Sequence, residues 1–393
     1  MRVVQLIDYF GTDGGLERFV DRFSEQLVSK GHETVVITLN RSPDRVSTNS
    51  AYKVLSVDVT QSTIEQLIRS AHPDIVVWHG STGMIPVVNL LRGKYPTVAT
   101  VHGAVCPSGS RLFVKNDTIC HRKSGVGCLP NWYMRNCGYS LSPVKALAAL
   151  RVHRNALQAM SNCTRVYAVS QSVKGYLVRE GLEQGKIRVF DNTLGVLRNL
   201  SNRPLIHTSG KSLRILYVGR LVYLKGVQYL IRAVKQLTDK GEDVFCRIVG
   251  EGWYRGELEA QAFDLGLQSR VEFVGKISES YMPQIYKDAD LLVVPSLWPE
   301  PAGLVVPEAR QLGKPIIVSD AGGLPEWSDY FDGVTVVPSA NVLKLTEAIL
   351  NLSKQLDITQ ARIDNFYCGM PIQTRVDLVT ECEGIGMSNM FMD

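Results

Sequence analysis

The chain has 393 residues, too many for one compact domain and enough for two. With 45% hydrophobic and 21% charged residues it is ordinary globular protein, which excludes a disordered tail or a fibre. The net charge of +5 hides an asymmetry: residues 1–200 carry 24 basic and 14 acidic side chains, and residues 201–393 carry 19 and 24.

The first residues, MRVVQLIDYFGTDGG, contain an apolar stretch too short for a signal peptide. No run along the chain approaches the roughly 18 apolar residues that would span a bilayer. A cytoplasmic protein with mostly reduced cysteines is therefore expected. VVQLI (3–7) reads as a strand, GTDGG (11–15) as a glycine-rich turn and 16–30 as a helix, and TVVITL (34–39) resumes the strand pattern. The same alternation continues through strands at 74–80, 96–103, 165–170 and 186–192. Near-continuous apolar runs separated by helical patterns predict a parallel sheet covered on both faces. Residues 197–212 are polar and read as a linker. The pattern then restarts, with strands at 214–219, 244–250, 270–275, 290–296, 315–320 and 334–338 and helices at 226–238, 254–265 and 303–312. The tail after about 352 is less regular, with a helix expected over 372–383. The expected fold class is α/β, with two Rossmann-like parallel-sheet domains facing across a cleft, 1–200 and 201–352, and a tail 353–393.

Ligands of open parallel sheets bind beyond the carboxyl ends of the strands, so the loops there are where chemistry is sought. In SLWPEPAGLVVPEARQLGKPIIVSDAGGLPE (296–326), Glu300 falls in a post-strand loop and Glu308 about a turn into the following helix. Two carboxylates some 8 Å apart, from the helical rise, suit sugar and ribose diols; N–H groups near Ala302–Leu304 suit phosphate. A helix-dipole glutamate and a surface glutamate are the alternative. In RILYVGRLVYLKGVQYL, Arg220 and Lys225 follow the first strand of the second half, just before a helix. Two fixed cations at a helix start can hold a diphosphate and stabilise the charge that develops as it leaves; in isolation such residues are more often merely solvated.

Together these segments resemble the retaining glycosyltransferases of family four (glycosyltransferase group 1), which have the GT-B fold. The matching strings are GGLERFV (14–20), VHG (101–103), VSQSVKGYL (169–177), VGRLVYLKG (218–226), VGEG (249–252), VEFVG (271–275) and 290–326, in the expected order. The resemblance implies a nucleotide-sugar donor bound mainly by the second half and a sugar or lipid-linked sugar acceptor bound mainly by the first. It implies that Glu308 holds the ribose, that Glu300 holds hydroxyls of the transferred sugar with the N–H groups of Gly303 and Leu304, and that Arg220 and Lys225 clamp the diphosphate. Gly15, after Gly14, brings backbone close to the donor phosphate; His102 lies near the anomeric centre; and the 274–277 loop, with Gly275 and Ile277, meets the base. A plain turn at Gly14–Gly15 and a strand-end histidine at 102 are the bland alternatives. The resemblance also implies that the tail 353–393 returns a helix to the first domain. The sequence departs from the family at Ala302, where a bulky aromatic is usual, at 191–193, where Asp-Asn-Thr replaces Pro-Asn-Gly, and in the tail, where FYCGMPIQTRVDLVTECEG matches only loosely.

The expected reaction is metal-independent hexosyl transfer from a UDP- or GDP-sugar, with retention, to a cytoplasmic acceptor in polysaccharide or glycolipid assembly. An epimerase or phosphorylase on the same fold, or a non-catalytic sugar-nucleotide binder, is the alternative. No metal site is expected. Asp288-Ala289-Asp290 resembles a metal-binding Asp-x-Asp but directly precedes a buried strand. Cys106, Cys120, Cys128 and Cys137, with His121 adjacent, could ligate zinc, yet no C-x2-C pair is present and unligated thiols are the default. Residues 75–179 hold 13 Lys or Arg and one acid, Asp117. With the helix at 144–160, which carries Lys145, Arg151 and Arg154, that points to an anionic acceptor or an anionic membrane surface; a buried helix with a solvated basic edge competes. No nucleic-acid-binding fold is recognised.

Overall fold

The computed structural model describes residues 1–11, 14–41, 51–57, 61–190, 192–193, 212–359 and 376–390. The expected linker lies outside these residues except for Ser212, as do Asp191 and Cys368. The chain divides into two compact units: Met1–Gly109, His121–Val196 and Ile372–Asp393 form one, and Ser110–Cys120 with Leu197–Pro371 form the other.

The first unit begins with β1 (Arg2–Phe10), α1 (Gly15–Ser29), β2 (Glu33–Arg41), β3 (Lys53–Ser56), α2 (Gln61–Ala71), β4 (Ile75–Trp78), α3 (Ile85–Leu91) and β5 (Thr97–Val101). After the excursion described below it continues with α4 (Cys128–Met134), α5 (Pro143–Asn162), β8 (Arg165–Ala168), α6 (Gln171–Glu180) and β9 (Ile187–Val189). Its seven strands are all parallel, in the order β3-β2-β1-β4-β5-β8-β9. Val3, Val4, Leu6, Ile7 and Phe10 of β1 are all buried because helices cover both faces of the sheet. Phe19, Phe23 and Leu27 recur at helical spacing and turn one side of α1 into that core. Ser170 caps α6 by accepting the Val173 N–H (3.1 Å), and Gly181, at φ 107°, ends it.

The tail helix α12 (Leu378–Met390) belongs to this unit and starts later than its sequence pattern indicates. Val376 bridges to Phe190, and Leu378, Val379 and Cys382 are buried. Glu381 accepts from the Tyr167 hydroxyl at 2.8 Å and pairs with Arg188 at 2.5 Å.

The second unit starts from within the first half of the sequence. The hairpin β6 (Leu112–Phe113) and β7 (Thr118–Ile119) lies in Ser110–Cys120, so a division near residue 200 misses this segment. The rest of the unit is β10 (Leu213–Val218), α7 (Val227–Asp239), β11 (Val244–Val249), α8 (Arg255–Asp264), β12 (Val271–Gly275), α9 (Met282–Asp288), β13 (Leu291–Val294), α10 (Val305–Arg310), β14 (Ile316–Ser319), β15 (Val334–Val337) and α11 (Val342–Thr359). Six parallel strands run in the order β12-β11-β10-β13-β14-β15. In each sheet the strand order reverses beside the first strand, at β1/β4 and at β10/β13, so the loops after those strands open a crevice.

Asp290, 5% exposed, accepts the Arg214 backbone N–H (2.7 Å) and pairs with its guanidinium (3.0 Å), joining the starts of β13 and β10. Asp288 accepts from Gln284 at 2.6 Å. Asp290 thus ties β13 to β10, while the Asp288 bond lies within α9. Asp290→Ala should cost about 2 kcal/mol, since a charge-assisted bond and a backbone N–H lose their partner. A lowered urea midpoint checks this; an unchanged midpoint would contradict it.

Candidate functional site

In the second unit the two loops at the β10/β13 reversal carry the charged residues singled out above. Arg220 lies just after β10 and is exposed, with its carbonyl receiving the Tyr217 hydroxyl at 3.0 Å. A short 3-10 turn, Tyr223–Lys225, then delivers Lys225, and Gly226 caps α7 at φ 72°. Any Cβ at Gly226 would lie 1.9 Å from the Pro295 carbonyl, so only glycine lets this loop close against the one after β13.

Across that contact Lys225 pairs with Glu300, and Ser296 donates to the same carboxylate oxygen at 2.8 Å. The Lys225 ammonium also sits 5.4 Å from the Trp298 ring centroid. Glu300 is 6% exposed. Burial pushes its pKa up, but the Lys225 charge and the hydrogen bonds from Lys225 and Ser296 outweigh that and hold it below the ordinary 4.5. The pair's contribution to stability is therefore in place above the carboxylate range and is lost only as pH falls through the lowered value.

Glu300 is fixed from its backbone as well. It bridges to Gly322, and its carbonyl accepts the Gly323 N–H at 2.7 Å. The Gly-Gly at 322–323 is thus a structural part of the site that the sequence reading left unassigned. Glu308 is buried at 2% exposure and accepts from the Tyr286 hydroxyl at 2.6 Å. Only Val305–Arg310 is helical, so the expected 303–312 helix is shorter and an 8 Å separation from the helical rise does not apply to Glu300. Six residues also give a weaker terminal dipole than the expected helix would. Gly303 (φ 67°) and Leu304 lead into α10, and the Ala302 carbonyl accepts the Trp327 indole N–H at 2.5 Å. Gly275 closes β12 and receives the Gly250 N–H at 2.8 Å, while Ile277 packs on the core beneath.

One participant was invisible in the sequence. Asp117, at the hairpin turn, accepts from Tyr223 (2.9 and 3.1 Å) and from Tyr229 (2.5 Å), holding the turn that carries Lys225. Burial, then Asp117, pushes the Tyr229 hydroxyl up to about 12, so it stays a donor. Nothing in the spacing connects residue 117 with 223.

In the first unit Gly14 and Gly15 open α1 after β1, and His102 follows β5. His102 packs on Phe19 (4.9 Å between centroids) and Phe190 (5.5 Å). Its Nε2 lies 3.0 Å from Thr100 Oγ1, and burial pushes its pKa down to about 3. Among the described residues no group of three His, Cys, Asp or Glu side chains converges to hold a metal ion. Cys106, Cys120, Cys128 and Cys137 are half-buried and in no disulfide.

Two family models match the chain: Glycosyltransferase Family 4 over residues 13–194 and Glycosyl transferases group 1 over residues 203–365. An uncharacterised glycosyltransferase of Methanocaldococcus jannaschii is 29% identical over 345 residues, 83% of this chain and 82% of its own. A GDP-mannose-dependent phosphatidylinositol monomannoside mannosyltransferase of Mycolicibacterium smegmatis is 25% identical over 369 residues, 86% and 85% of the two chains. The crystal structure of Anabaena HepE in complex with UDP-glucose superposes with a TM-score of 0.68 at 18% identity, covering all of both chains. With both family models matched in sequence order and two doubly wound parallel-sheet units beneath them, the chain belongs to the family 4, group 1 glycosyltransferases of GT-B fold.

Proposed function

We propose that the protein transfers a hexose from a UDP- or GDP-linked donor to an acceptor hydroxyl with retention of anomeric configuration. The observation that carries this reading is the pair of partly buried Lys225 and buried Glu300 at the β10/β13 reversal, with Arg220 on the same post-β10 loop. As the glycosidic bond stretches, negative charge grows on the departing diphosphate, and Arg220 and Lys225 compensate it. Glu300 accepts from hydroxyls of the sugar and Glu308 from those of the ribose. Gly303 and Leu304 supply backbone donors, Gly275 and Ile277 border the base, and Gly15 lets backbone approach a phosphate. This account needs no metal. UDP-glucose in HepE and GDP-mannose in the mycobacterial relative's name support a nucleotide-sugar donor.

The acceptor in this reading is lipid-linked and anionic, presented at a membrane surface on its cytoplasmic side. Trp132 and Leu129 of α4 pack on Ala146 and Ala149 of α5, leaving their outer faces to solvent. There Val126, Met134, Leu141 and Val144 are 71–86% exposed. Arg122, Lys123, Arg135, Lys145, Arg151 and Arg154 are exposed among them, and residues 118–179 contain no acid. Apolar side chains that can enter the headgroup region, ringed by cations, complement an anionic bilayer. No helix among the described residues is long and apolar enough to cross one.

Glu300→Gln and Lys225→Ala should each lower kcat/KM by about 100-fold or more with cooperative unfolding retained; full activity in either sinks the assignment. Product analysis with and without acceptor separates transfer from epimerisation and phosphorolysis. Leu141→Ser/Val144→Ser should abolish co-sedimentation with vesicles containing phosphatidylglycerol while leaving nucleotide-sugar binding unchanged. Binding equally to neutral vesicles, or to none, would refute the membrane surface.

A further inference from the structure

We propose that Gln5, Ser24, His79 and Thr100 form a buried relay that fixes the tautomer of His102, leaving its Nδ1 as a standing acceptor for a hydroxyl of the carbohydrate substrate. The relay lies wholly within the first unit and is argued from its own geometry; the substrate clause rests on the function proposed above.

Ser24 sets the direction of the relay. Its hydroxyl donates to the Val20 carbonyl at 2.7 Å, which uses its one proton. Gln5 Nε2, 2.7 Å away, must therefore be the donor to Ser24 Oγ, and it donates to Thr34 Oγ1 at 3.0 Å as well. That sets the orientation of the amide, because the oxygen could not face Ser24. Gln5 Oε1 consequently points at His79 Nε2 (3.0 Å), and this ring nitrogen must carry a proton.

His79 is 2% exposed, and burial followed by the neighbouring His102 pushes its pKa well below 6.5, so the ring is neutral. With Nε2 protonated, Nδ1 is bare and accepts from the Thr100 hydroxyl at 2.9 Å. Thr100 has now used its proton and can only accept from His102 Nε2, 3.0 Å away. His102 is likewise neutral, so its Nδ1 holds a lone pair, and that atom has no partner among the described residues. Gln5, Ser24 and Thr100 are fully buried, so water does not compete for these bonds.

The relay makes His102 a directional acceptor instead of a ring free to flip between tautomers. A substrate hydroxyl can donate to Nδ1, whereas a carbonyl or phosphate oxygen finds no proton there. Thr100, His79 and Gln5 are positioning residues; only His102 would touch substrate.

The test is ¹⁵N–¹H correlation of the imidazole nitrogens in the full-length protein without ligand, with His102→Asn to assign the signal. The expected result is the Nε2–H tautomer for both His79 and His102, unchanged between pH 5.5 and 8. An Nδ1–H His102, or titration within that range, overturns the relay without any variant being needed. Thr100→Val, which keeps shape but breaks the link, should yield mixed His102 tautomers and lower kcat/KM for the donor about tenfold; Thr100→Ser should restore both. Unchanged tautomers in Thr100→Val overturn the relay. Shifted tautomers with unchanged turnover overturn the substrate role while the relay stands. Absence of any glycosyl transfer by the wild type would count against the proposed function and leave the tautomer measurement intact.

Discussion

A buried carboxylate and the partly buried ammonium beside it govern the second unit. Removing an ion from water costs several kcal/mol even after relaxation, and the partner repays it only in good geometry with the remaining polar atoms satisfied. Lys225 and Glu300 come from loops after neighbouring strands, and the surrounding backbone is shaped to bring them together. Gly226 lets the first loop touch the Pro295 carbonyl, and the bridge to Gly322 fixes Glu300 from the other side. Ser296 satisfies the carboxylate further, and Asp117 holds the turn through Tyr223. Once assembled, such a pair needs little reorganisation when charge develops nearby, as the proposed transfer requires.

The first unit uses the equivalent topological position differently. Its β1/β4 reversal holds neutral polar groups in place of charges: Gln5 on β1, His79 just beyond β4, and Thr100 on neighbouring β5. Burial keeps both imidazoles neutral, so the constraint there is donor–acceptor order and not Coulomb attraction. A neutral network is less costly to bury than ions and is undisturbed by ordinary pH change. It contributes direction, where the second unit contributes charge.

The sequence made the alternation of strands and helices legible because both sheets are parallel and covered: β4 and β13 are unbroken apolar runs, and β1 and β10 are apolar runs interrupted by Gln5 and Arg214. Glu300, Lys225 and Arg220 stood out because their loops follow such runs. What stayed hidden depended on distant contact. β3, at Lys53–Ser56, is a short edge strand with little apolar signal, and the two-residue strands of the hairpin have no period at all. Helix α10 stops at Arg310 although its pattern runs to Leu312, because Gln311, Leu312 and Gly313 close a turn ahead of Pro315. Asp290 carries the composition of a metal ligand, and only the strand pairing reveals that Arg214 claims it. Gln5 is a polar residue inside an apolar strand, an anomaly visible in VVQLI, but its three partners lie 19, 29 and 74 positions away.

The placement of Asp117 also alters how the charge asymmetry is understood. It is the one acid among residues 75–179, yet its carboxylate is taken up by two tyrosines of the second unit, to which its hairpin belongs. The part of the stretch that stays with the first unit therefore contains no acid at all, and exposed cations on and around α4 and α5 act undiluted. Charges on one face within a Debye length of about 8 Å reinforce one another. An all-basic stretch lowers the stability of its own unit by self-repulsion, a cost that brings no benefit to folding. The same stretch exposes Val126, Met134, Leu141 and Val144, which folding would ordinarily bury. Two features that each oppose stability coincide on and around α4 and α5, and the anionic membrane surface proposed above would relieve both.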